Sequence, residues 1–145
     1  MRTLSKIGLA ALRVGWLVAR PALVAEMEKA RLPYDLPAYS QAIATCAFGP
    51  LRGAIDRHVG SIVAERRRLV EELSAMRGVS LTRADANFVW ARVPIADAAR
   101  SLKERGVLVR SFPHSPDRLR ITVGTREEDD RMLDALAAVI GSATR

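Results

Sequence analysis

The chain reads as an α/β protein whose second half forms an α+β unit of its own. Three observations carry that reading. Ile55, Val59, Ile62, Val63, Leu69, Val70, Leu73 and Met76 recur at helical spacing across residues 51–77. Residues 86–93 and 119–123 alternate between two faces, as strands do. Thr125 and Glu128 stand in the relation of a capping box, ahead of a stretch with Met132, Leu133, Leu136 and Ile140 on one side.

The elements follow in order. Residues 14–19 are apolar almost throughout and predict a short buried strand. Pro21 suits a first helical turn, with a helix expected over 22–31 and stopped by Leu32-Pro33-Tyr34. Pro37 opens another helical stretch, which Gly49-Pro50 breaks. The long helix over 51–77 ends at Gly78, a candidate left-handed cap. Residues 86–93 form a strand with Phe88 and Trp90 on one face and Val89, Ala91 and Val93 on the other. A helix over 95–105 ends at Gly106, and strands follow at 107–110 and 119–123. After the last helix, 141–145 is expected to fray.

At 145 residues the chain is long enough to bury a real core. No stretch approaches the roughly 18 consecutive apolar residues of a membrane span. The opening residues lack the pattern of a secretory signal. A single cysteine, Cys46, precludes an internal disulfide, suits a reducing cytoplasm and is expected to be a small buried residue. The net charge of +7 raises nucleic-acid binding as a question, yet aromatic residues are only 5%, which argues against a base-stacking platform. The dense run Arg66-Arg67-Arg68 is preceded by Glu65 and followed by Glu71 and Glu72, and reads as a solvated helical face. His58 and His114 are too isolated to suggest a metal pair, and no metal site is expected.

Chemistry concentrates in Arg2-Thr3-Leu4-Ser5-Lys6-Ile7-Gly8-Leu9-Ala10-Ala11-Leu12-Arg13. The Lys6 amine can form a Schiff base with an aldehyde, while the Thr3 and Ser5 hydroxyls and the Arg13 guanidinium can hold a phosphate beside it. Pyridoxal phosphate is the common cofactor that carries both groups. In 119–123 the apolar residues take one face, so Arg120 and Thr122 take the other. A guanidinium fixed on a strand suits bidentate binding of a carboxylate or phosphate, and Arg110 would add a second positive group. Both arginines facing solvent from a half-exposed sheet is the commoner case, and the residues alone leave it open.

The Lys6 string resembles the Schiff-base segment of fold-type I pyridoxal-phosphate aminotransferases, most closely the histidinol-phosphate aminotransferase family. Leu32-Pro33-Tyr34-Asp35-Leu36 resembles that family's Pro-Tyr segment, and Ala84-Asp85-Ala86-Asn87-Phe88-Val89 its Ala-Asn-Phe strand. Gly106-Val107-Leu108-Val109-Arg110 and Leu119-Arg120-Ile121-Thr122-Val123-Gly124-Thr125-Arg126-Glu127-Glu128 resemble its C-terminal signature. One departure is the spacing of Lys6 and Arg13, seven where many members have eight.

The resemblance implies the C-terminal part of such an enzyme. Residues 1–33 would be a remnant of the large cofactor-binding domain and the end of its sheet. Residues 34–78 would be an interdomain helical segment, and 79–145 a small α+β domain. It implies that Lys6 carries the cofactor and moves a proton at the substrate's α-carbon, that Thr3, Ser5 and Arg13 bind the cofactor phosphate, and that Arg120 binds the substrate's anionic group. Arg110 would assist with a substrate phosphate and Asn87 would brace Arg120. The rest of the pocket would lie upstream of Met1, leaving the first strand short of neighbours with an exposed edge and apolar face. The complete enzyme would be a cytoplasmic homodimer that takes small amino and keto substrates and binds neither nucleic acid nor membrane. Two alternatives stand beside it: another transaminase of this class, such as one for aromatic amino acids, or a threonine-phosphate decarboxylase relative; and a truncated product without catalysis of its own.

Overall fold

Proline and glycine punctuate the first third of the chain. Pro21 opens helix α1 (Pro21–Glu28), where its missing N–H costs nothing. Pro37 precedes α2 (Ala38–Phe48), and the Gly49 amide closes it by donating to the carbonyls of Thr45 and Cys46. Helix α3 (Arg52–Ala75) follows, and Gly78 turns the chain away from it at a φ of +78°. A Cβ at Gly78 would also press on Pro94 at 2.9 Å.

The computed structural model describes residues 1–143. The chain divides into two units, Met1–Val59 and Gly60–Arg145, with the boundary inside α3. In the first, strands β1 (Arg2–Thr3) and β2 (Gly15–Trp16) pair antiparallel, Arg2 opposite Trp16 and Thr3 opposite Gly15. Leu4 and Leu12, from the segment between them, bury against Ala44 of α2, with Ile7, Leu9 and Val14 packed around.

The second unit is built on an antiparallel sheet. Its strands are β3 (Ser80–Thr82), β4 (Phe88–Arg92), β5 (Arg110–Phe112) and β6 (Ser115–Thr122), in the spatial order β3-β4-β6-β5. Val89 sits opposite Ile121 and Ala91 opposite Leu119. That side of the sheet meets Leu69 and Leu73 of α3, Leu102 of α4 (Ala98–Glu104) and Met132, Leu133, Leu136 and Val139 of α5 (Arg126–Ala143). Burying each such side chain is worth about 1.5–3 kcal/mol, so this face fixes the fold. The predicted capping box forms: Thr125 N–H donates to Glu128 Oε2 at 2.8 Å, and Glu128 N–H donates to Thr125 Oγ1 at 3.3 Å.

Several expectations need correction. Of 14–19 only Gly15 and Trp16 are strand, and both are exposed, as are Leu17 and Val18; β1 is the one strand that pairs with them among the described residues. The strand expected at 107–110 lies at Arg110–Phe112 instead: Val107 and Val109 pack on the core outside any strand, and only the later residues meet β6. β3 is a strand the alternation did not reveal. The helix expected from residue 95 begins at Ala98. The last helix continues to Ala143 instead of fraying from 141, and 144–145 lie outside the described residues.

Cys46 is exposed, because α2 turns Ser40, Ala44 and Ala47 inward. The arginine run is no simple solvated face. Arg66 donates to the Ala86 carbonyl at 2.8 Å, and Arg68 pairs with Glu65 and, at 2.7 Å, with Asp130.

One buried carboxylate lies beside the helix cap. Asp129 Oδ1 accepts the Gly124 N–H at 3.0 Å, while Oδ2 is buried without a partner among the described residues. Desolvation pushes this carboxyl above its ordinary range; the Gly124 bond and Arg68 oppose the shift, and Glu65 and Glu128 reinforce it. A raised acid contributes stability that is full below the ordinary carboxylate range and is lost as pH rises through the raised value. Asp35, beside Arg31, Asp117, beside Arg92, and Glu128, bonded by Thr125, shift downward and act in the opposite sense. Asp129→Asn keeps an acceptor for Gly124 and removes only the Asp129 contribution. Urea unfolding at a series of pH values will therefore show the variant gaining on the parent chain as pH rises from about 3 to 7.

Candidate functional site

Lys6 lies in a 3-10 turn, Leu4–Ile7, between β1 and β2. Thr3 caps the turn: its Oγ1 accepts the Ser5 N–H at 3.2 Å and donates to the Val14 carbonyl at 3.3 Å. The Thr3 and Ser5 hydroxyls are 3.0 Å apart. Leu4 N–H donates to the same Val14 carbonyl at 3.0 Å, which ties the Lys6 turn to the backbone beside Arg13. Two left-handed residues make the path between them: Gly8 at φ +90° and Arg13 at +56°. Leu4 is fully buried while Lys6 is exposed, so the turn is anchored by one side chain and presents the other.

Thr3, Ser5 and Lys6 are thus brought together, whereas the Arg13 side chain turns back. Its Nη1 donates to the Ala10 carbonyl at 3.2 Å. Arg13 also lines a cleft of about 380 Å³ with Trp16, Met27, Glu28 and Arg31, to which Thr3, Ser5 and Lys6 do not contribute. The residue that sequence reasoning missed is His58. Its Nε2 lies 2.6 Å from where a Cβ on Gly8 would stand, so the imidazole closes over the turn two residues beyond Lys6. Nothing in the local sequence signals that contact across 50 residues of chain.

In the second unit Arg120 and Thr122 lie on the sheet face opposite the core, as alternation predicts: Leu119 and Ile121 are buried, Arg120 half-buried and Thr122 exposed. β5 sets Arg110 directly opposite Arg120, and β4 sets Trp90 opposite it on the other side. Among the described residues neither arginine forms an ion pair. Each instead sits over a ring, Arg120 Cζ at 5.5 Å from the Phe88 centroid and Arg110 Cζ at 5.7 Å from that of Phe112. The Asn87 backbone carbonyl accepts the Val123 N–H at 3.0 Å, which extends the β4–β6 pairing. Like charges directly opposite in a sheet are destabilising. Two unneutralised guanidiniums in register therefore form a surface that an anion with several oxygens would relieve.

The family model for aminotransferase class I and II matches residues 1–136. A histidinol-phosphate aminotransferase of Methylibium petroleiphilum is 42% identical over 145 residues, covering 97% of this chain and 39% of its own length. Histidinol-phosphate aminotransferase 2 of Nitrosococcus oceani is 40% identical, covering 95% of this chain and 40% of its own. This chain therefore spans about 40% of the length of the curated relatives it matches. The crystal structure of the histidinol-phosphate aminotransferase from Clostridium acetobutylicum superposes with a TM-score of 0.81 at 19% identity, over 97% of this chain and 45% of that one. The Sinorhizobium meliloti enzyme in complex with pyridoxal-5'-phosphate superposes at 0.77 with 24% identity, over 98% and 40%. These likenesses establish the fold, a partial fold-type I arrangement.

The Gly8 geometry has a measurable consequence. Gly8→Ala combines a left-handed backbone, worth about 1–2 kcal/mol, with a clash against His58. It will lower the stability of the first unit by at least that amount in hydrogen-exchange or thermal unfolding experiments. Adding His58→Ala will recover the part due to the clash and leave the backbone strain.

Proposed function

Because this chain belongs to the class I and II aminotransferases, we propose that it is the C-terminal part of a pyridoxal-phosphate-dependent histidinol-phosphate transaminase of histidine biosynthesis. The observation that carries the reading is Lys6, presented on a capped turn beside two joined hydroxyls, in a chain about 40% identical to histidinol-phosphate aminotransferases along nearly its whole length.

The residues present fit the cofactor. When bound, it supplies an electron sink for a carbanion at the substrate's α-carbon. Lys6 Nζ would attach it and move the proton at that carbon. The Thr3 and Ser5 hydroxyls already point at one another and would share a phosphate between them. Arg13 would exchange the neutral Ala10 carbonyl for a charged phosphate oxygen, the stronger of the two acceptors. Arg120 would hold the substrate's anionic group, which is a phosphate ester in histidinol phosphate and a carboxylate in glutamate. Arg110 would share the phosphate, whose charge and oxygens exceed what one guanidinium neutralises. Asn87 would act through the strand, holding β4 against β6 and so holding Arg120 in place. The remainder of the pocket would come from the portion of the relatives that this chain does not span. The whole protein would work as a cytoplasmic homodimer; among the described residues no helix is long and apolar enough to cross a membrane.

The test uses the full-length protein that carries this chain. With pyridoxal phosphate it will develop visible absorbance that borohydride fixes covalently to the peptide containing Lys6. Lys6→Ala will lose both that signal and at least about 10²–10⁴-fold in transamination. A label fixed at another lysine, or none at all, rejects the assignment. A substrate panel of histidinol phosphate against aromatic amino acids then settles the amino donor.

A further inference from the structure

We propose that Phe88 and Phe112 are positioning residues for the two arginines: each ring holds one guanidinium, and together they keep the like charges apart until an anion draws on both. The inference rests on the anion-binding role given to Arg110 and Arg120 above, and goes beyond it by naming what sets their geometry.

The two arginines are direct cross-strand partners, so their Cβ atoms stand only about 4.5–5.5 Å apart. Among the described residues no carboxylate pairs with either, so something other than an ion pair must separate them. Phe88 lies opposite Thr122, one place along the face from Arg120, and the Arg120 guanidinium rests over it. Phe112 lies toward the Ser115 end of the same face, and Arg110 leans that way. The two cations are therefore drawn toward opposite ends of β6. Phe112 is itself fixed, because Trp90 packs against it with ring centroids 4.8 Å apart and planes at 53°.

None of these rings belongs to the core, which lies on the other side of the sheet. A ring quadrupole attracts a cation, whereas an aliphatic side chain of similar size does not. An exposed contact of that kind is weaker than a charge-assisted bond to a phosphate oxygen. The rings can therefore hold the arginines ready without competing with the anion.

The experiment titrates the full 145-residue chain with inorganic phosphate, following the side-chain Nε–H signals of Arg110 and Arg120 by NMR. In the parent chain the Arg120 and Arg110 side-chain protons will carry upfield ring-current displacements, which Phe88→Leu and Phe112→Leu respectively remove. Each Leu variant will weaken phosphate binding at these arginines by about 2–5-fold, and Phe88→Tyr will restore it. Phosphate affinity unchanged in both Leu variants, or absence of the ring-current displacement in the parent chain, overturns the inference. Should Phe88→Leu fail to fold, Phe112→Leu and the parent-chain displacements decide the matter. Arg120→Gln separates the two levels. If it leaves phosphate binding intact, the anion role itself fails; if it abolishes binding while the Leu variants do not, only the positioning role falls.

Discussion

The pairing of β4 with β6 is the constraint on which the second unit depends. Because side chains alternate, one register decides both faces together. With Val89 opposite Ile121 and Ala91 opposite Leu119, the apolar set meets the helices, and Trp90 and Arg120 are left on the other side. A slip of one residue would bury the guanidinium and expose the core. The face that carries the arginines and the hydrophobic core are therefore two faces of a single decision. The register is defended by every apolar contact on the helix side.

The first unit solves a different problem with less material. Its core is small, Leu4 and Leu12 against Ala44, and α1 buries no residue at all. The Lys6 turn keeps its shape through backbone geometry more than through burial. A cap hydroxyl, a shared carbonyl at Val14 and two left-handed residues fix the path from Thr3 to Arg13. The seven-residue spacing from Lys6 to Arg13 is accommodated by these two reversals, one at each end of the intervening loop.

The helices and the two central strands were legible because each announces itself locally. Gly49, Gly78 and Pro21 bound the helices, Thr125 and Glu128 cap the last one, and alternation in 119–123 separates Arg120 from Leu119 and Ile121. What was not legible depends on partners distant in sequence. β3 has only three residues and exists because Ser80 finds Arg92 across from it. Val107 and Val109 look like strand, yet the ladder begins only at Arg110. The inward face of α2 is made of small residues that carry little hydrophobic signal, so the pattern does not reveal that Cys46 faces outward. Among the candidate residues, Lys6, Thr3 and Ser5 of the first unit could be nominated from motif, and Arg120 of the second from alternation. The closure of His58 over Gly8 and the seating of the arginines over Phe88 and Phe112 could not, because both need a register or a packing that no local pattern encodes.

The chain holds two tryptophans, and they fall one to each unit: Trp16 on β2, edge-on to Phe48, and Trp90 on the face that carries Arg120. Their emission can therefore be separated by replacing either one. A chain keeping only Trp16 reports the melting of the Lys6 segment's surroundings, and one keeping only Trp90 reports that of the sheet. The molecule thus carries its own pair of fluorescent gauges, by which the cooperativity of the two units can be read without any attached dye.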